Sequence, residues 1–139
     1  MPAIRRQINI AVAPRAVWRA LTTVEGLTTW LADDARIDAR VGGRIVLTSE
    51  DDEGNPLEEC GIIHEIRPIR RLEIAWDASG PGKSAGSRLE FQVARDGEET
   101  RLSLVQRGGP LVDDEEDRAQ ADRTWRQAFL ALRSSLEGE

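Results

Sequence analysis

Apolar residues along this chain keep two different rhythms, and the switches between them divide it into elements. Between Ile4 and Val12 the period is two, with Ile8, Ile10 and Val12 set against Gln7, Asn9 and Ala11, which predicts a strand with one buried face. Pro14 stands where a helix can begin, because the first turn does not need its missing N–H. Val17, Trp18 and Leu21 then give a short helix an apolar side. Thr22 and Glu25 have the spacing of a capping box and predict a second short helix from Val24 to about Leu31, with Leu27, Trp30 and Leu31 inward and Gly26 as a weak point. Period two returns in the middle of the chain. Strands are predicted over Ala35–Ala39, Arg44–Ser49, Glu59–Ile66, Arg71–Asp77, the Leu89/Phe91/Val93 run and the Leu102/Leu104 run. Gly42-Gly43, the Gly54-Asn55-Pro56 loop, the Gly- and Ser-rich stretch from Ala78 to Ser87, and Asp96-Gly97 are the turns between them.

The last segment returns to the helical rhythm. Ala121, Trp125, Phe129, Leu132 and Leu136 fall at steps of four, four, three and four, so they share one face of a helix predicted from Asp113 to about Leu136. At 1.5 Å per residue such a helix is roughly 35 Å long, enough to cross a small sheet. Asp113 is the expected N-cap, and the acidic run Asp113 to Asp117 matches the positive end of the helix dipole. Strand, helix, helix, six strands and a long helix make an α+β chain with an antiparallel sheet. Trp125 and Phe129, facing that sheet, predict a grip around a small apolar cavity.

Composition narrows the function. The 139 residues carry a net charge of −6, with 40% hydrophobic and 32% charged residues, the profile of one soluble globular domain over 1–139. An acidic balance argues against nucleic acid and anionic membranes as partners. No run approaches the roughly 20 apolar residues of a membrane span, and the N-terminus has no apolar signal segment, so a cytoplasmic protein is expected. The lone Cys60 excludes an intrachain disulfide and reads as a small buried hydrophobe. With one His and one Cys, neither a metal site nor a cofactor is expected. Gly80-Pro81-Gly82-Lys83-Ser84 ends like a phosphate loop, but its first glycine is misplaced and it leads into a strand. Cys60 and His64 share a strand face at roughly 13 Å, too far apart for a catalytic pair.

Several motifs in order resemble the helix-grip, START-like (SRPBCC) superfamily, in the branch similar to the C-terminal domain of the Hsp90 ATPase activator Aha1. They are Ile10-x-x-x-Pro14-x-x-x-Trp18-x-Ala20-Leu21-Thr22, Glu25-x-Leu27-x-x-Trp30, Val41-Gly42-Gly43-Arg44, and Gly61-x-Ile63-x-Glu65-Ile66-x-Pro68-x-x-x-Leu72. Trp76, Thr100-x-Leu102-x-Leu104 and Trp125-x-x-x-Phe129-x-x-Leu132 complete the series. The resemblance implies a curved antiparallel sheet of about seven strands wrapped around the C-terminal helix, and a cavity that takes hydrophobic small molecules. Hsp90 activation is not implied, since the separate N-terminal domain of the eukaryotic co-chaperone has no counterpart in this sequence.

The candidate ligand-binding residues are Trp30 at the expected cavity mouth, Trp76 and Phe91 on strands, Trp125 and Phe129 on the final helix, and His64. By alternation His64 shares a face with Cys60, Ile62 and Ile66, and is either a lone polar group in the cavity or a structural histidine. No catalytic grouping emerges. A binding protein for a small apolar or amphipathic ligand is the leading expectation, as a monomer or weak homodimer. The alternatives are a cyclase or hydrolase using His64 or an inward carboxylate as base, and a chaperone-accessory or regulatory interaction module.

Overall fold

A computed structural model describes residues 2–138. Strand β1 (Ala3–Ile10) is followed by helices α1 (Pro14–Thr22) and α2 (Val24–Trp30). Six strands come next: β2 (Asp34–Ile37), β3 (Arg44–Glu50), β4 (Pro56–Arg67), β5 (Arg71–Trp76), β6 (Arg88–Asp96) and β7 (Glu99–Arg107). A short helix α3 (Gly109–Asp113) leads into the long α4 (Glu115–Leu136). The sheet runs β1-β7-β6-β5-β4-β3-β2 with every neighbouring pair antiparallel. This is the helix-grip α+β architecture: β2 to β7 form a meander, β1 closes on β7, and α1, α2 and α4 cover the inner face.

Local chemistry sets the helix ends. The cap of α2 is Thr23, not Thr22: its Oγ1 accepts from Gly26 N at 2.9 Å and donates to Arg19 O at 2.8 Å. Thr22 turns back instead and donates to Trp18 O. Gly26, which weakens α2 on propensity alone, is what lets α2 lie against α1. A Cβ there would stand 2.4 Å from Arg19 O and 2.5 Å from Ala20 Cα, both backbone atoms that cannot swing aside. Gly26→Ala is therefore expected to destabilise the protein by about 1–3 kcal/mol in urea unfolding, despite the better helix former.

The long helix begins one residue later than the acidic run suggests. Asp114 is extended, and its carboxylate accepts from Asp117 N at 2.9 Å, while Asp113 belongs to α3. Glu115, Glu116 and Asp117 then occupy the first turn of α4. Three polar ties fasten α4 along its length. Arg6 holds Asp122 through two hydrogen bonds of 2.8 and 3.0 Å, Trp125 Nε1 donates to Gln106 Oε1 at 3.0 Å, and Glu137 Oε2 accepts from Ala11 N at 2.8 Å.

Candidate functional site

The inner face of the grip is half filled and half hollow. The filled half lies under the C-terminal part of α4, where four aromatic rings from three elements meet. Trp30 of α2 stands 6.3 Å from Phe91 of β6, 6.5 Å from Trp125 and 6.2 Å from Phe129, and Phe91 meets Trp125 edge-on at 6.0 Å and 81°. Centroid spacings of this size are those of stabilising aromatic pairs. Trp30 is buried, and its Nε1 donates to Ala20 O at 3.0 Å. It is a core residue rather than a guard at the cavity mouth, because that bond turns the indole inward from the end of α2. Phe129 is likewise part of this packing.

The hollow half is a cavity of about 360 Å³ between the N-terminal half of α4 and the sheet. Its size falls within the range of small-molecule sites, about 300–1,000 Å³. Leu21, Leu27, Ile45, Leu47, Ile74, Leu89 and the rings of Trp76 and Phe91 form its buried wall, with the half-buried ring of Trp125 beside them. Asp117, Gln120, Ala121, Thr124 and Trp125 supply the α4 side, and exposed Leu57, Lys83, Asp117 and Gln120 stand at its rim. Three of the aromatics expected at the site, Trp76, Phe91 and Trp125, thus line one cavity, with Trp125 shared between cavity and aromatic cluster.

One end of the cavity is polar. Gln106 is buried and accepts from Trp125, while its Nε2 donates to Ser87 Oγ at 3.0 Å and more weakly to Ser84 Oγ at 3.4 Å. Ser87 Oγ donates to Ser84 O at 2.6 Å. Ser84 N donates in turn to both oxygens of Glu59, at 3.1 and 3.3 Å. The chain Trp125–Gln106–Ser84–Glu59 links α4, β7, the β5–β6 loop and β4 around this end. Gly82 makes the loop's approach possible. It has φ +94°, and a Cβ there would lie 2.5 Å from the Glu59 carboxyl carbon. Trp76 adds a buried indole N–H with no hydrogen-bond partner among the described residues.

Neither Glu59 nor Gln106 stood out in the sequence, although the signal was present. Gln106 continues the inward phase of Leu102 and Leu104 on β7, and Glu59 shares its phase with buried Gly61 and Ile63 on β4. The carboxyl of Glu59 has its pKa raised above the ordinary 4.5. Desolvation by burial is the largest cause, opposed by the Ser84 and Lys83 amides, the Ser84 hydroxyl and the Lys83 charge. The native state therefore holds this proton more tightly than the unfolded chain. That contribution to stability is complete below about pH 4.5 and is lost as pH rises through the native pKa. Glu59→Gln is expected to gain stability relative to the parent between pH 4.5 and 7 in urea titrations. A pH-independent difference would contradict the burial effect.

His64 lies on the other side of the sheet. Between Ile63 and Glu65 the β4–β5 register shifts, so His64 and Glu65 both oppose the outer residue Glu73. Such a bulge reverses the alternation. Ile66 faces the core, whereas Cys60, Ile62 and His64 face outward, which corrects the shared face expected from strict period two. Cys60 is accordingly half-buried on the outer face, with its Sγ 3.4 Å from Glu58 Oε1. His64 Nδ1 is 2.6 Å from Glu73 Oε1, beside Arg71, which bridges Glu65, Glu73 and Glu90. Arg71 Nε stands 2.7 Å from Glu65 Oε1 but out of line for a hydrogen bond. His64→Ala is expected to change stability by less than about 1 kcal/mol and to leave cavity binding unaltered, read by unfolding and ligand titration.

With the geometry in hand, comparison with known proteins decides the family. Residues 11–137 match the model of the activator of Hsp90 ATPase homolog 1-like proteins. The chain belongs to that family. Among solved structures, protein NE0264 of Nitrosomonas europaea superposes with TM-score 0.84 at 20% identity, covering 99% of this chain and 95% of that one. The Aha1 dimer of Colwellia psychrerythraea gives 0.80 at 22%, covering 99% and 97%. DynU16, from the dynemicin biosynthetic locus, gives 0.79 at 18%, covering 99% of this chain and 48% of its own. Curated proteins offer no significant match. These likenesses, all under 25% identical, establish the fold of this Hsp90-activator-like chain. Among its described residues no helix is long and apolar enough to cross a membrane.

Proposed function

We propose that this protein binds a small, largely apolar molecule in the cavity between the sheet and the N-terminal half of α4. The observation that carries the reading is the 360 Å³ space walled by aliphatic and aromatic side chains with polar groups gathered at one end. A filled interior is the ordinary outcome of folding, so a cavity of this size calls for an occupant. Structural likeness to a protein of a natural-product biosynthetic locus is consistent with such an occupant. Trp76, Phe91 and Trp125 would contact the ligand, while Trp30 and Phe129 would support Trp125 from behind. A thermal-shift screen of uncharged aromatics and short lipids tests this. Ligands of this class are expected to raise the melting temperature and quench tryptophan fluorescence. A screen in which every apolar class leaves both unchanged would overturn the reading.

One observation favours a second reading, an enzyme of the cyclase or hydrolase type. Glu59 is a half-buried carboxylate with a raised pKa on the cavity wall, which is the inward base such chemistry needs. His64, on the outer face, cannot serve. If turnover of a bound carbonyl substrate is found, Glu59→Gln should abolish it while leaving ligand affinity within a few-fold. Membership of a family with a dimeric structural neighbour also makes a homodimer reasonable for this chain, and sedimentation would read it directly.

A further inference from the structure

Charge is unevenly distributed around the cavity. Glu59 and Leu57 share the inner phase of Gly61 and Ile63 on β4, and both line the hollow. The Glu59 carboxylate is half-buried and held by the Ser84 amide, yet it forms no ion pair among the described residues. Burial is the strongest influence on it and disfavours its charged form, while the Lys83 charge is the weakest of the opposing ones. Charges withdrawn from water are normally paired, so a carboxylate on an apolar wall is short of a cation. Acidic segments also flank the mouth on two sides. Ser49 and Leu57 line the space, and the chain between them carries Glu50, Asp51, Asp52 and Glu53. Leu111 and Asp117 line it from the helical side, with Asp113, Asp114, Glu115 and Glu116 between them. Against these acids stands Lys83, the only lysine in the sequence, while Arg118 is turned to Val112 O at 2.7 Å.

We propose that the cavity takes an apolar amine, protonated at neutral pH, whose ammonium group pairs with the Glu59 carboxylate while its hydrocarbon part fills the hollow. The proposal rests on the cavity being a ligand site. Three charged residues line the space: Glu59 on the wall, and Asp117 and Lys83 at the rim, two negative against one positive. The other polar residues lining it, Ser49, Ser84, Gln106, Gln120 and Thr124, are neutral and carry donors and acceptors alike. They can serve an alcohol, an acid or an amine, and the sign of charge is left to the three ionised groups. An entering ammonium replaces the hydration that Glu59 has lost with a charge-assisted hydrogen bond. An alcohol brings no charge to that pairing, and an acid meets two carboxylates with Lys83 as the one cation lining the space. The acidic segments at the mouth add a field that draws cations toward it.

The experiment compares 2-naphthylmethylamine, 2-naphthylmethanol and 2-naphthylacetate at pH 7 by calorimetry. The amine is expected to bind at least about tenfold more tightly than the alcohol, the size of one good hydrogen bond between charged groups, and the acid most weakly. Glu59→Gln should bring the amine and the alcohol within about threefold of each other while leaving the alcohol's own affinity within a few-fold. Ala121→Trp, which fills the hollow, should weaken all three; amine binding that survives it is adsorption to the acidic surface and overturns the proposal. An amine preference that persists in Glu59→Gln also overturns it, because the mouth and not Glu59 then reads the charge. If the alcohol or the acid binds as well as the amine, and Ala121→Trp abolishes that binding, the proposal falls while the cavity reading stands. If none of the three binds to the folded parent protein, both the proposal and the cavity reading fail.

Discussion

Phe129→Ala is expected to cost about 3–5 kcal/mol of stability, the largest effect of any single truncation considered. Phe129 is 2% exposed and its ring packs against Trp30 at 6.2 Å and Trp125 at 6.3 Å. Its loss leaves a void beneath the helix and frees two indoles at once. Because Trp125 also forms part of the cavity wall, the variant should lose ligand affinity as well, through a ring that is no longer held. Urea unfolding followed by tryptophan fluorescence measures the first effect, and titration at a temperature where the variant is folded measures the second. A loss under about 1 kcal/mol would mean that the aromatic cluster does not fasten α4.

Ala121→Trp is expected to have the opposite profile. Ala121 lies on the cavity side of α4, between Gln120 and Trp125, and the hollow has room for an indole. Filling it adds apolar contacts where there were none, so stability should hold or rise. Affinity for any cavity ligand should fall by at least about tenfold, because the ligand and the new ring compete for one space. Leu130→Trp, on the exposed side of the same helix, is the control and should leave binding unchanged. Undiminished binding in Ala121→Trp would place the ligand elsewhere.

How far the sequence could be read depended on which physical rule governed each residue. Period-two and helical alternation are imposed by burial of one face, so β1, β5, β6, β7 and α4 were legible almost to their ends. The helix caps were less so, because several hydroxyls and carboxylates compete for the same free amides. Thr23 rather than Thr22, and Asp114 rather than Asp113, won through backbone geometry that no residue type announces. Gly108-Gly109-Pro110 reads as the stop of the last strand, and the same residues also lead into α3, whose first turn holds Pro110. Cys60, Ile62 and His64 do share a face, but it is the outer one, and the bulge that moves Ile66 to the inner face is marked by nothing in Ile63-His64-Glu65. The site was partly legible. Trp76, Phe91 and Trp125 follow from alternation, but the same alternation carries Gln106 and Glu59 inward, and polar type hid them. Alternation also says only that a residue faces inward. Whether its neighbours fill the space depends on packing among α1, α2, α4 and the sheet, which is how Trp30 and Phe129 came to be core while Trp125 borders a hollow.

Diffraction from crystals under xenon pressure tests that hollow most directly, since xenon enters apolar cavities without needing a hydrogen bond. Xenon is expected between Leu21, Ile45, Leu89 and Trp125, and absent from the cluster of Trp30, Phe91 and Phe129. A crystal in which those side chains close on one another, leaving xenon no interior position beneath the first half of α4, would contradict the receptacle.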